Sequence, residues 1–157
     1  MNASVKQVLA MLLPIIKDSE NCELTAYPDP ASGGEPITIG WGAIGGIKLG
    51  DTWTRAQADE RLERDALHAI DRAAALSPIL TKAGNEKRWA AVSDFVYNLG
   101  AGSYAESTFK KYIDAGKWSP ASQECLKWCH GHNGNGKAII MEGLVTRRKR
   151  EHDLIVS

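Results

Sequence analysis

Between Glu20 and Gly42 the chain reads ENCELTAYPDPASGGEPITIGWG, a stretch that carries the signals of short strands and turns. Leu24–Tyr27 alternates, a Pro/Gly/Ser loop follows, and Pro36–Gly42 reads as a strand bounded by glycines. The segments on both sides have helical periodicity instead. Residues 1–21 place Val5, Val8, Leu9, Leu12, Leu13, Ile15 and Ile16 on one broad apolar face, with Pro14 as an expected kink. Thr54-Arg55-Ala56-Gln57 is a capping box. It opens a run over about 54–76 in which Ala58, Leu62, Ala66, Ala69, Ile70 and Ala73 recur at helical spacing. A sheet as small as the one between these helices cannot bury much by itself, so it must lean on helices or line a cleft. The fold class expected is α+β.

Further along, Ile44–Leu49 is a candidate third strand, and Ser77-Pro78 ends the long helix. Residues 79–83 read as a short helical turn. Residues 86–99 form the most apolar helix, with Trp89, Ala90, Val92, Phe95, Val96 and Leu99 inward. Helices are expected over 104–115, from Ser119-Pro120 onward, and over 144–155. Glu60, Arg61, Glu63, Arg64 and Asp65 read as a solvated, weakly paired outer face rather than a binding site.

The totals exclude several classes. At 157 residues the chain has room for one domain with a real core, or two small lobes sharing a helix. Its formal net charge of zero gives no strong pull toward nucleic acid, although residues 106–157 hold nine Lys and Arg against six Asp and Glu. The apolar run Val8–Ile16 is too short to span a bilayer, and Lys17-Asp18-Ser19-Glu20 follows it where a cleavable leader would have small residues. Stable membrane insertion is therefore not expected. Three cysteines, Cys22, Cys125 and Cys129, argue against a disulfide framework. Cys125-x3-Cys129-His130-x-His132 has ligand types that suit zinc, but the spacing is not that of a standard finger. Buried Cys as an apolar filler, with His130 and His132 solvated beside a flexible Asn133–Gly136 loop, is the preferred reading. No metal is expected.

The chemistry lies in two carboxylates on different elements. Glu20, at the end of an apolar helix, would have its charged form disfavoured by burial and could donate a proton. Asp29, at a turn among free amides and water, would stay ionised. One protonated and one ionised acid is what cleavage of a glycosidic bond needs, and Thr38 on the facing strand could hold a water. A Glu and an Asp nine positions apart are common, and on spacing alone they read as a solvated helix end and a turn Asp.

The surrounding residues narrow this. Glu20-x8-Asp29, with Tyr27 before the Asp and Thr38-Ile39-Gly40-Trp41-Gly42 after the loop, resembles the signature of phage-type lysozymes, glycoside hydrolase family 24. Phe95–Gly102 with Ser107-Thr108, and Gly143–Glu151, resemble two further motifs of that family in the right order. The resemblance implies a lysozyme-like fold: a β-lobe over about 22–52, a linking helix over about 54–76, and a helical lobe over about 78–157 with the N-terminal helix, enclosing a cleft. It implies Glu20 as acid, Asp29 as water-activating base and Thr38 as the third catalytic-site residue. Asn98 would face the cleft and bond substrate amides, with Tyr27 and Trp41 as further substrate contacts, and Trp41 reads equally as a core residue. An arginine of the last motif would pair with Glu20, and either Arg147 or Arg148 could be the one.

Three departures stand out. The loop between Asp29 and Thr38 is long, Ala43 stands where many members carry His, and Cys22 is not required by the mechanism. What the resemblance implies overall is an endolysin that hydrolyses the β-1,4 bond between N-acetylmuramic acid and N-acetylglucosamine in peptidoglycan, with inversion and without a cofactor. It would be a monomer made in the host cytoplasm and released to the wall with help from a holin-type pore protein. The rivals are a lytic transglycosylase, in which Glu20 acts alone, and a cell-wall binding module without turnover.

Overall fold

The structure, a computed structural model, describes residues 1–30, 32–133 and 135–157. Ala31, in the Pro/Gly/Ser loop, and Gly134, in the loop expected to be flexible, lie outside the described residues. The chain begins with α1 (Ala3–Ser19), then β1 (Glu23–Tyr27) and β2 (Thr38–Gly40). The long α2 (Arg55–Leu76) leads through a 3-10 turn (Pro78–Thr81) into α3 (Glu86–Leu99), α4 (Ala101–Glu106), α5 (Thr108–Asp114) and α6 (Trp118–Leu126). A second small hairpin, β3 (His130–His132) and β4 (Ala138–Ile140), precedes α7 (Glu142–Val156).

Local signals account for the helix ends. The Asn2 side chain accepts from the Val5 amide at the start of α1, and the helix runs through Pro14, whose exposed position tolerates the missing donor. Thr54 and Gln57 bond reciprocally across the first turn of α2, so the capping box forms as expected. Removing the Thr54 oxygen leaves an amide without its cap, and Thr54→Ala should cost about 1 kcal/mol in urea denaturation. Ser107 caps the Lys110 amide, so the single helix expected over 104–115 is divided into α4 and α5.

The main core collects the apolar faces of α1, α2 and α3. Val8, Leu12, Ile16, Ala66, Ile70, Val92 and Phe95 are among its fully enclosed members. Phe95 also centres an aromatic set with Tyr104, Phe109 and Trp128, with ring centroids 5.1–6.0 Å away. A separate small core of Ala26, Ile37, Ile39 and Ala43 sits under the first sheet, closed by Trp53.

That sheet pairs β1 and β2 antiparallel, with Glu23 opposite Gly40 and Tyr27 opposite Thr38. The third strand expected at Ile44–Leu49 does not form. Gly45 and Gly46 take positive φ there, and the sheet is extended instead by a single bridge from Thr25 to Thr52. His130 and His132, expected in a loop, pair with Ile140 and Ala138 in the second hairpin.

Candidate active site

Glu20 stops α1. Its amide still donates to the Ile16 carbonyl at 2.8 Å, but its own backbone is extended, and this turns the side chain out of the helical path. A Cβ built on Gly42 would lie 3.6 Å from Glu20 Oε2. The strand–turn segment carrying Thr38 and Gly42 therefore comes up against the acid, and the positive φ of +87° at Gly42 is a backbone conformation that favours glycine.

The expectation of a dry apolar pocket for Glu20 is corrected. Its side chain is 28% exposed and receives a hydrogen bond from Arg147 Nη1 at 2.6 Å. The Arg147 guanidinium is itself 3% exposed and forks onto Asp94: Nε donates to Oδ2 at 2.8 Å and Nη2 to Oδ1 at 2.7 Å. Burial works to lower the Arg147 pKa, but the hydrogen bonds and charge of Asp94, and then of Glu20, outweigh it and hold the group above the usual arginine value. One arginine is thus shared between a buried carboxylate and a cleft carboxylate.

This settles which arginine faces the acid. Arg148 turns the other way, donating from Nη2 to Asn98 Oδ1 at 2.9 Å and to Glu151 Oε1 at 2.7 Å. Glu151 is fully buried and also accepts from the Cys125 thiol. Burial, then the charge of Asp94, pushes the Glu151 pKa well up, against the pull of Arg148. Cys125 is accordingly core, as the packing reading expected, with a donor role added. Cys129 is half-buried, its sulfur 3.9 Å from His130 Nδ1.

On the β side, Asp29 sits in a tight loop. Its amide donates to the Gly34 carbonyl, its carbonyl accepts from the Gly33 amide, and Oδ2 accepts from the Ser32 amide at 3.0 Å. An amide donor of this kind suits an ionised carboxylate. Thr38 is half-buried, paired with Tyr27 two residues before Asp29, so the ladder brings Thr38 to the root of the Asp29 loop. Tyr27 lies near enough to Glu20 to feel it: burial, then the charges of Glu20 and Glu23, raise its phenol pKa.

Trp41 does not offer a face to a sugar. It is 6% exposed, its Nε1 donates to Asp59 at 2.8 Å, and the Arg55 guanidinium and the Lys17 ammonium lie over its ring at 4.4 and 5.3 Å. Its carbonyl has a role, however, because Tyr97 Oη donates to it at 2.8 Å and so ties the helical side of the cleft to the β side. A second tie runs from Arg61, which pairs with Asp65 at 2.8 Å and donates from Nη2 to the Ile44 carbonyl. Those two charges, read from sequence as solvated surface, line a cavity of about 540 Å³ together with Gly42, Ile44, Tyr97 and His68. Any ion pair built on His after the glycine motif is missing with Ala43, and the arginine contact bridges the same stretch.

The sequence reading missed Asp94 and Tyr97. The available signal was an acid in the most apolar helix: a carboxylate flanked by Ser93 and Phe95 on an inward face must find a cation.

The profile of the phage lysozyme family matches residues 17–151, which include Glu20, Asp29, Thr38, Asp94 and Arg147. The chain belongs to the phage lysozyme family. It is 30% identical over 145 residues to an endolysin of Acyrthosiphon pisum secondary endosymbiont phage 1, covering 92% of this chain and 94% of that one. It is 32% identical over 142 residues to an endolysin of Lactococcus phage c2, of which it spans 57%. Among solved structures, an endolysin from Escherichia coli O157:H7 phage FAHEc1 superposes with a TM-score of 0.79 at 28% identity, covering 94% of this chain and 91% of that one. The muramidase domain of SpmX from Asticaccaulis excentricus gives 0.78 at 22% identity, covering 100% and 97%, and shares the fold. This phage lysozyme is a glycoside hydrolase that degrades peptidoglycan. Among its described residues no helix is long and apolar enough to cross a membrane.

Proposed function

We propose that this peptidoglycan-degrading endolysin cuts the β-1,4 bond between N-acetylmuramic acid and N-acetylglucosamine by an inverting acid–base mechanism. Glu20 protonates the leaving oxygen. Asp29 and Thr38 position a water on the opposite face of the sugar, which implies carboxyl groups in the wider range of about 6.5–9.5 Å. The observation that carries this reading is the placement of Glu20: a half-exposed carboxylate against Gly42 at the cleft, held by an arginine whose charge Asp94 already balances. Such an acid can take up a proton without leaving a buried cation unpaired.

The lobes act as one domain about α2, and Asn98, its carbonyl taken by Arg148, turns its amide donors to substrate acetamido groups, while Tyr27 contacts substrate from the β side. The enzyme works as a monomer, accumulates in the host cytoplasm, and reaches the wall through a pore made by a separate holin-type protein.

Product analysis in heavy-oxygen water tests the reaction. Hydrolysis places one labelled oxygen on each new reducing end, and the first-formed anomer is inverted. Unlabelled anhydro ends would instead mean transglycosylation, with the sugar's own hydroxyl as nucleophile. Asp29→Asn separates the two as well: it should reduce kcat about 10²- to 10⁴-fold if Asp29 is the base, and little if Glu20 acts alone.

A further inference from the structure

The cavity beside Glu20 has a second end that the hydrolytic step does not use. It starts at Gly42, which borders the acid, and at Tyr97, whose ring faces Arg147. From there it extends to the α2 residues His68 and Arg72, over a volume of about 540 Å³. Ile44, Val96 and Ala101 supply apolar lining, and the charged residues come from one helix. Arg61 and Asp65 neutralise each other, and Arg61 is further committed to the Ile44 carbonyl. His68 and Arg72 are four residues apart, so they share a helix face, and both are exposed. Among the described residues neither takes part in a salt bridge.

We propose that this end of the cavity is a subsite for a carboxylate carried by the glycan strand, bound by Arg72 with His68 as second donor. The proposal rests on the peptidoglycan reading above and deepens it. Peptidoglycan differs from neutral polymers of N-acetylglucosamine in its lactyl ethers, each of which ends in a carboxylate or in a peptide stem with carboxylates of its own. An apolar wall for a sugar ring, with an unpaired planar cation at its edge, fits such a unit. A guanidinium takes a carboxylate through two parallel hydrogen bonds, which an amide or hydroxyl on a neutral strand cannot match. The subsite would therefore select strands by charge while leaving the acid–base step alone.

The test measures strand binding by calorimetry in the Glu20→Gln background, where turnover does not interfere, and KM and kcat in the otherwise native enzyme. Three strands are compared: stem-free with lactyl carboxylates free, stem-free with those carboxylates methyl-esterified, and stem-bearing. Arg72→Gln and the double change with His68→Gln should weaken binding of a carboxylate strand about three- to tenfold, with KM rising in step and kcat unchanged. Binding to the ester should already be weak and should not respond. An effect on the stem-free acid assigns the lactyl carboxylate, and an effect confined to stem-bearing strands assigns the stem. Arg72→Lys should recover part of the loss, and raised salt should reduce it. Equal losses on acid and ester, or no loss on any strand, overturn the subsite. If the native enzyme leaves the strands uncut while these binding differences persist, it is the hydrolytic reading that fails.

Discussion

Glu20→Gln should lower kcat on outer-membrane-permeabilised cells about 10³- to 10⁴-fold, while glycan binding stays close to that of the native enzyme. The change is nearly isosteric, and an amide oxygen can still accept from Arg147 Nη1 where the carboxylate does. The Arg147–Asp94 fork is untouched, so the fold should persist, and Gly42 leaves the same space. What is lost is the proton donated to the leaving oxygen. A turbidity assay reads the rate, and calorimetry on an insoluble or stem-free glycan reads the binding. Retained lysis would remove Glu20 from the acid role. Loss of binding along with lysis would show that the carboxylate holds substrate rather than acting on it.

Features set by neighbours in sequence were legible beforehand. The capping box at Thr54–Gln57 and the apolar positions from Ala58 to Ala73 specify α2 by themselves, and all of those apolar positions are buried. The strand segments on either side of the Asp29 loop pair because short runs of β-formers flank a turn, which is also local information. The choice between Arg147 and Arg148 was not local. Adjacent residues on a helix point about 100° apart, and both side chains are buried, so the sequence alone does not say which of the two meets the acid. The answer lies on α3, where Asp94 and Asn98 are one turn apart: Arg147 meets the first and Arg148 the second. Trp41 was ambiguous for a related reason. Lys17, Arg55 and Asp59 close over it from two other helices, and nothing in the motif around it announces them. In the second hairpin β3 reads His130-Gly131-His132 and β4 reads Ala138-Ile139-Ile140, and neither three-residue run alternates apolar with polar, so the pairing left no periodic trace.

Asp94→Ala should destabilise the protein by about 3–5 kcal/mol, because it leaves a buried guanidinium short of its main partner. Asp94 is fully buried and accepts two of the three hydrogen bonds that the Arg147 side chain makes. The milder Asp94→Asn keeps an acceptor and the shape, and its effect should appear in the pH profile. With Asp94 ionised, the cation is balanced whether or not Glu20 carries a proton. Without that charge, Glu20 becomes the sole counter-ion, and a cation beside a carboxylate favours its ionised form. The proton is then given up at lower pH, so the acid is lost sooner as pH rises, and the alkaline limb of kcat/KM should shift to lower pH. Urea denaturation measures the first effect and a pH–rate profile the second. An unshifted alkaline limb in a folded Asp94→Asn protein would reduce Asp94 to a structural anchor. Replacing both partners, as in Asp94→Leu with Arg147→Met, removes the unpaired charge along with the pair. This double variant should recover much of the stability lost in Asp94→Ala while leaving Glu20 without the cation that holds it toward the cleft. Recovered folding without recovered lysis is therefore the expected result.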